Sequence, residues 1–166
     1  MALSIAILAA GGGKLALSPL PGREGSYAAD LADLVAFAPA LVLSMTTAEE
    51  TAARGAGRLA EDLARHGIRW RHLPIADFGV PNGETAALWP AASVEARGLL
   101  AAGGRVLVHC MGGCGRSGMA VLRLMVETGE DPAAALVRLR AQRPCAVETP
   151  AQLDWAAGRA GAVVSK

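Results

Sequence analysis

"RVLVHCMGGCGRSGMAVLRLMV", Arg105 to Val126, decides the fold. Its first six residues form an apolar run of strand length that ends in His109 and Cys110, and its last nine carry Arg123 as their sole charge. A strand so apolar is covered on both faces, and a helix so poor in charge is buried on most sides. The eight residues after Cys110 hold four glycines and one arginine. Glycine is costly in regular structure, so the segment reads as a tight connection from buried strand to buried helix near Ser117. A buried strand feeding a buried helix is the unit from which α/β sheets are built.

The flanking sequence extends the alternation. "SIAILAA-GGG-KLALS" predicts two short strands around a glycine turn, a hairpin at a sheet edge. "SYAADLADLVAF" predicts a helix capped by Ser26, and "ALVLSM" a strand. From Thr47 to His66 the pattern is one helix, or two pieces interrupted near Gly55 and Gly57, with Ala52, Ala56, Leu59, Ala60 and Leu63 on one face. "IRWRHLPI" alternates as a half-buried strand does, "DFGVPNG" is a loop, and a helix follows from about Glu84 to Ala102, either straight or kinked at Pro90. Asp131-Pro132 and Thr149-Pro150 are each a cap followed by proline in the first turn, starting the last two helices. The expectation is one α/β domain over 1–166, with a central, mostly parallel twisted sheet of about five strands flanked by helices.

Bulk properties narrow the function classes. The 166 residues are 52 % hydrophobic and 19 % charged, with a net charge of +1, so no global field favours nucleic acid or an anionic membrane. The longest uncharged stretch, Leu34 to Ala48, is broken by Pro39 and too short to span a bilayer. "MALSIAILAA" lacks the positive charge that opens a signal peptide, so a cytoplasmic protein is expected. Three histidines and three cysteines without a CxxC leave few ligands for a metal, and no metal or cofactor is expected. Cys110, Cys114 and Cys145 are expected as free thiols in a reducing compartment.

The chemistry centres on the glycine loop. In parallel sheets ligands sit beyond the carboxyl ends of the strands. Loop amides from Met111, Gly112, Gly113, Cys114 and Gly115, with the helix N-terminus behind them, would cradle a tetrahedral anion, and Arg116 offers a planar fork for two of its oxygens. Such surroundings favour the thiolate of Cys110, a nucleophile pointed at the same anion. A merely structural turn explains neither the cysteine nor the arginine. The other common phosphate motif, G-x-x-x-x-G-K-[ST], is absent.

"HCMGGCGRSG" resembles the His-Cys-(x)5-Arg-(Ser/Thr) signature of cysteine-based protein tyrosine and dual-specificity phosphatases. The resemblance continues through "LSPLPG", "HLPIADFGVPN" and "RPCAVETPAQ", covers roughly Leu15 to Trp155, and is closest to the kinase-associated phosphatase branch. It implies hydrolysis of phosphate monoesters through a phosphocysteine, on a phosphorylated protein or peptide, without a metal. Residue by residue it implies Cys110 as nucleophile, Arg116 as phosphate clamp and Ser117 as the hydroxyl that stabilises the departing thiolate. Asp77 would be the general acid, with Glu84 as backup, and His109 a buttress of the loop. Gln152 matches a glutamine that orients the hydrolytic water. Ser117 is equally a helix cap, and Gln152 equally the third-position partner of Thr149 in a capping box. Glu148 and Cys145 depart from the family, which often carries glutamine and glycine there.

Further readings accompany these. Arg138, Arg140 and Arg143 form either a solvated helix face or a source of positive potential at the site mouth. Trp70, Trp89 and Trp155 are expected in packing, and Tyr27 offers no platform for a phosphotyrosine ring. Cys114 is expected to splay outward as a bystander, with Cys114 or Cys145 a candidate partner for an oxidised Cys110. Rival functions are a phosphatase of phosphoinositides, nucleotides or sugar phosphates, an arsenate reductase, and a pseudophosphatase that only binds phosphate.

Overall fold

The computed structural model describes residues 2–158. Strands β1 (Ala6–Ala10) and β2 (Gly13–Ser18) form the expected hairpin, turning through Gly11 and Gly12. Helix α1 (Tyr27–Phe37) starts where the Ser26 hydroxyl accepts the Ala29 N–H, and β3 (Leu41–Ser44) follows. The region to His66 divides at the two glycines into α2 (Ala48–Ala53) and α3 (Leu59–Arg65). Ala56, Leu59 and Leu63 are buried as the pattern predicts, whereas Ala52 is exposed, because the break after α2 rotates its face away from the later residues. Then come β4 (Arg69–His72), α4 (Gly83–Ala101, continuous through Pro90), β5 (Arg105–His109) and α5 (Gly115–Glu127). Helices α6 (Pro132–Gln142) and α7 (Pro150–Ala156) both begin with the expected cap and proline.

The five strands lie in the order β1-β2-β5-β3-β4, with every pairing parallel except the β1–β2 edge. The apolar run Val106–Val108 therefore occupies the centre, where both faces are covered. Val106 and Val108 join one core with Leu15, Leu43, Trp89, Met119 and Leu139, beneath α4 to α7. Leu107 points the other way and packs with Ala16, Val42, Leu34 and Leu63, beneath α1 and α3. The period of two in the strands thus places α1 and α3 on one face and α4 to α7 on the other. No helix among the described residues is long and apolar enough to cross a membrane.

Trp89 is buried and packs edge-on to Trp155, with ring centroids 5.0 Å apart. The arginine trio is neither a free face nor a rim of the site. Arg138 pairs with Glu130, Arg140 donates to the carbonyls of Ala146 and Val147, and Arg143 donates to those of Ser4 and Leu17. Arg138 also donates to the Ala9 carbonyl of β1 at 2.9 Å, so all three are clasps between segments, an outcome that charge patterning alone does not reveal.

Candidate active site

The loop after β5 is rooted in a buried polar relay. Trp70 Nε1 donates to Ser44 Oγ at 2.8 Å, and the Ser44 hydroxyl is hydrogen-bonded to His109 Nε2. His109 Nδ1 lies 3.2 Å from the Cys110 carbonyl oxygen. A carbonyl only accepts, so Nδ1 carries the proton and Nε2 accepts from Ser44. Burial pushes the His109 pKa down to about 4, which matches that neutral tautomer. His109 therefore ties the loop to the sheet as a neutral ring.

Cys110 is the buried free cysteine at the head of the loop, its Sγ 3.2 Å from Ser117 Oγ. Helix α5 starts at Gly115, two residues before the expected start, so Ser117 is inside the first turn. The cap position belongs to Cys114, which makes no side-chain cap bond, and the capping reading of Ser117 is set aside. The cysteine and the serine face each other because the loop closes directly into the helix.

The glycines have a second use beyond turning amides inward. Gly113 has φ +72°, and a methyl there would meet the backbone of Ser18 and Pro19 at 2.6 Å. A methyl on Gly115 would meet the Glu148 carboxylate at 2.1 Å, and one on Gly118 the Val147 nitrogen at 2.7 Å. Close approach of two neighbouring segments thus also fixes these residues as glycine.

Arg116 is 1 % exposed and held by a residue that sequence reasoning missed. Glu50 accepts from Nη1 at 2.7 Å and from Nη2 at 2.9 Å, while the Ile75 carbonyl accepts a further Nη1 bond at 2.8 Å. Glu50 also closes the capping box of α2, accepting the Thr47 N–H at 2.9 Å. The Arg116 hydrogen bonds hold its carboxyl at about 2, well below the ordinary carboxylate range. Burial opposes the Arg116 charge, but Glu50, Cys110 and Asp77 outweigh it, so its pKa is raised. The available signal for Glu50 was Thr47-x-x-Glu50, which reads as a cap and nothing more.

Asp77 reaches the same pocket, with Oδ1 3.5 Å from Arg116 Nη2 and its side chain 58 % exposed. Oδ1 also accepts the Phe78 N–H at 3.0 Å, and Phe78 takes the left-handed φ of +62° while leaving its ring exposed. The cavity, of about 210 Å³, is bounded by Cys110, Arg116, Asp77, Phe78, Glu148 and Arg23. Arg23 and Phe78 were not anticipated as rim residues. Met111, Gly112, Cys114 and Gly115 also line it, whereas Gly113 sits behind against Pro19. Glu84 lies exposed in the first turn of α4, outside the cavity.

Gln152 is fully buried with both ends of its amide engaged. Oε1 accepts from the Glu148 and Thr149 N–H groups, and Nε2 donates to the Gly79 carbonyl at 3.1 Å. It caps α7 and ties that cap to the Asp77 loop, which leaves the water-orienting reading without geometric support. The free-thiol expectation is corrected: Cys114 and Cys145 are joined as a disulfide, with Cα atoms 5.1 Å apart. Cys114 thus lines the cavity while its sulfur ties the loop to the segment before α7. Neither residue is then a thiol available to an oxidised Cys110.

A family model for the DSP-PTPase phosphatase domain, described as PTP-SAK or Swiss Army Knife protein, matches residues 22–155. No curated protein matches the chain. Among solved structures, kinase associated phosphatase (KAP) with its catalytic-site cysteine replaced by serine is similar over 100 % of this chain and 98 % of its own. It shows 22 % identity and a TM-score of 0.84. Tk-PTP in its active form is 28 % identical over 94 % of this chain and 97 % of its own, with a TM-score of 0.70. PTPMT1 in complex with PI(5)P is 20 % identical over 91 % and 92 %, with a TM-score of 0.66. With a buried cysteine, a clamped arginine and an overhanging aspartate around one loop, and the family match spanning most of its length, the chain belongs to the dual-specificity-type phosphatase domain family.

Proposed function

We propose that this chain hydrolyses phosphate monoesters on phosphoproteins through a phosphocysteine intermediate on Cys110. The observation that carries the reading is the convergence of Cys110, Arg116 and Asp77 on one cavity, with the buried Ser117 hydroxyl against the Cys110 sulfur. The Cys110 thiolate attacks phosphorus, forming the P–S bond as the P–O bond to the leaving group breaks. The loop amides and Arg116, held rigid by Glu50, stabilise the equatorial oxygens. Asp77 gives its proton to the departing oxygen and then, as carboxylate, accepts one from the water that attacks the phosphocysteine. Ser117 Oγ, 3.2 Å from Sγ, donates a hydrogen bond to the thiolate as it leaves.

The test is phosphate release from phosphopeptides, soluble inositol phosphates and nucleotides by the wild type and Cys110→Ser. The expected result is peptide turnover by the wild type and none by Cys110→Ser, which still binds vanadate or phosphate because its cradle is intact. Substantial hydrolysis by Cys110→Ser refutes the covalent mechanism, and turnover confined to the other phosphoesters refutes the protein substrate.

A further inference from the structure

We propose that Arg23 is a specificity-determining residue, selecting phosphopeptides that carry a carboxylate or second phosphate beside the scissile phosphate. The assignment rests on the hydrolytic reading above and adds the chemistry of the substrate's neighbouring group.

The backbone around Arg23 is fixed against the catalytic loop. Leu20 N–H donates to the Met111 carbonyl at 3.1 Å, and Arg23 N–H turns back to the Leu20 carbonyl at 3.1 Å. Gly22 takes φ +89°, and its N–H donates to the buried Asp30 carboxylate at 2.9 Å. From this platform the guanidinium lies along the loop: a methyl on Gly112 would stand 3.0 Å from Arg23 Nη1. Gly112 is two residues from the nucleophile, so the fork lies at the rim that a group adjoining the phosphate must pass.

Its charge is also poorly committed. Arg116 and Arg140 are each locked by short hydrogen bonds, whereas the charged partner of Arg23 among the described residues is Glu24, 3.7 Å away and 61 % exposed. Arg23 itself keeps 35 % of its side chain exposed. Such a pair is weak, and a second anion on a bound substrate displaces it at little cost. The planar fork suits a carboxylate or phosphate in two-pronged contact.

The rest of the rim favours a peptide over a polyphosphorylated headgroup. Asp77 and Glu148 bring two carboxylates to the same cavity, and the chain's net charge is only +1. A headgroup with several phosphates would bring its extra charge against Glu148 with Arg23 alone to offset it, because Arg116 is committed to Glu50 and to the scissile phosphate. A peptide can set one acidic side chain on the Arg23 side while its remaining surface avoids Asp77 and Glu148, and the exposed Phe78 ring gives it an apolar wall.

The experiment compares kcat/KM for phosphopeptides with Glu or Ala immediately before or after the phosphoresidue, in wild type, Arg23→Ala, Arg23→Lys and Arg23→Glu. A soluble inositol bisphosphate is a further substrate. In the wild type, one acidic position should improve kcat/KM about 5-fold over Ala, through KM, and the ratio should shrink with added salt. Arg23→Ala should bring the ratio to one, Arg23→Lys should keep part of it, and Arg23→Glu should invert it. A structural role for Arg23 would lower both peptides equally and leave the ratio unchanged, which overturns the assignment. It is also overturned by a wild type indifferent to flanking charge, or by an Arg23-dependent preference for the inositol bisphosphate over every peptide. No turnover of any phosphoester by the wild type overturns the hydrolytic reading, and this assignment with it.

Discussion

Glu50→Gln isolates what the Glu50–Arg116 pair contributes. Glutamine serves in a capping box as well as glutamate does, so the start of α2 is kept and only the charge is removed. Arg116 would then be a buried guanidinium facing a neutral partner. Holding a carboxyl at about 2 in place of its ordinary 4.5 corresponds at face value to about 3 kcal/mol. Water reaches Glu50, whose side chain is 24 % exposed, so screening reduces this to roughly 2 kcal/mol. Because the folded-state value is depressed, the contribution is complete above pH 4.5 and fades as pH falls through about 2. Urea unfolding of both proteins between pH 7 and pH 2 should therefore show a constant gap above pH 4.5 that closes in acid. Turnover of p-nitrophenyl phosphate at neutral pH should fall about 10-fold, as the clamp loosens by about one RT ln 10. A stability gap below a few tenths of a kcal/mol, or one that persists unchanged at pH 2, would refute the ion pair as the support of Arg116.

Asp77→Asn keeps an oxygen for the Phe78 N–H and removes the acid, so alkyl phosphates should slow about 100-fold while activated aryl phosphates slow far less; equal losses would assign Asp77 a structural role. Gly118→Ala sets a methyl 2.7 Å from the Val147 nitrogen, and the overpacking should cost about 1–2 kcal/mol in urea despite alanine's helix preference; a stabilised variant would show that the 146–147 segment yields freely. Cys145→Ser opens a crosslink spanning 31 residues and should lower stability by about 3.7 kcal/mol on the chain-entropy estimate, with a change under about 1 kcal/mol refuting a structural tie.

The parts of this molecule legible in the sequence are those written in short-range pattern. Strand and helix alternation, the hairpin, and the caps at Ser26, Asp131 and Thr149 follow from spacing and local hydrogen bonding. The positions of Cys110, Arg116 and Ser117 at the loop were legible because they lie within eight consecutive residues. What escaped depends on elements meeting in space. Glu50 lies 66 positions from Arg116, and its sequence signal is already accounted for by its cap. Arg23 comes to the loop only because β2 and β5 are neighbours, a pairing of strands separated by four helices and two strands. The Cys114–Cys145 bond needs the approach of α5 to the segment before α7, which Gly118 permits and no local pattern announces. The early start of α5 escaped because Cys114 at its cap makes no side-chain cap bond.

The register of the central strand has a consequence for how this site fails. Ser18, His109 and Ser44 are aligned at the ends of β2, β5 and β3, and Met45 N–H donates to the His109 carbonyl at 3.0 Å. The loop thus springs from the innermost strand, where amide exchange requires opening of neighbours on both sides and therefore tracks the global equilibrium. Heating should then leave no interval in which an intact sheet carries a melted loop. Inactivation and unfolding would share one midpoint, and the rim at Phe78 and Arg23 would be the portion of the site free to adjust below it.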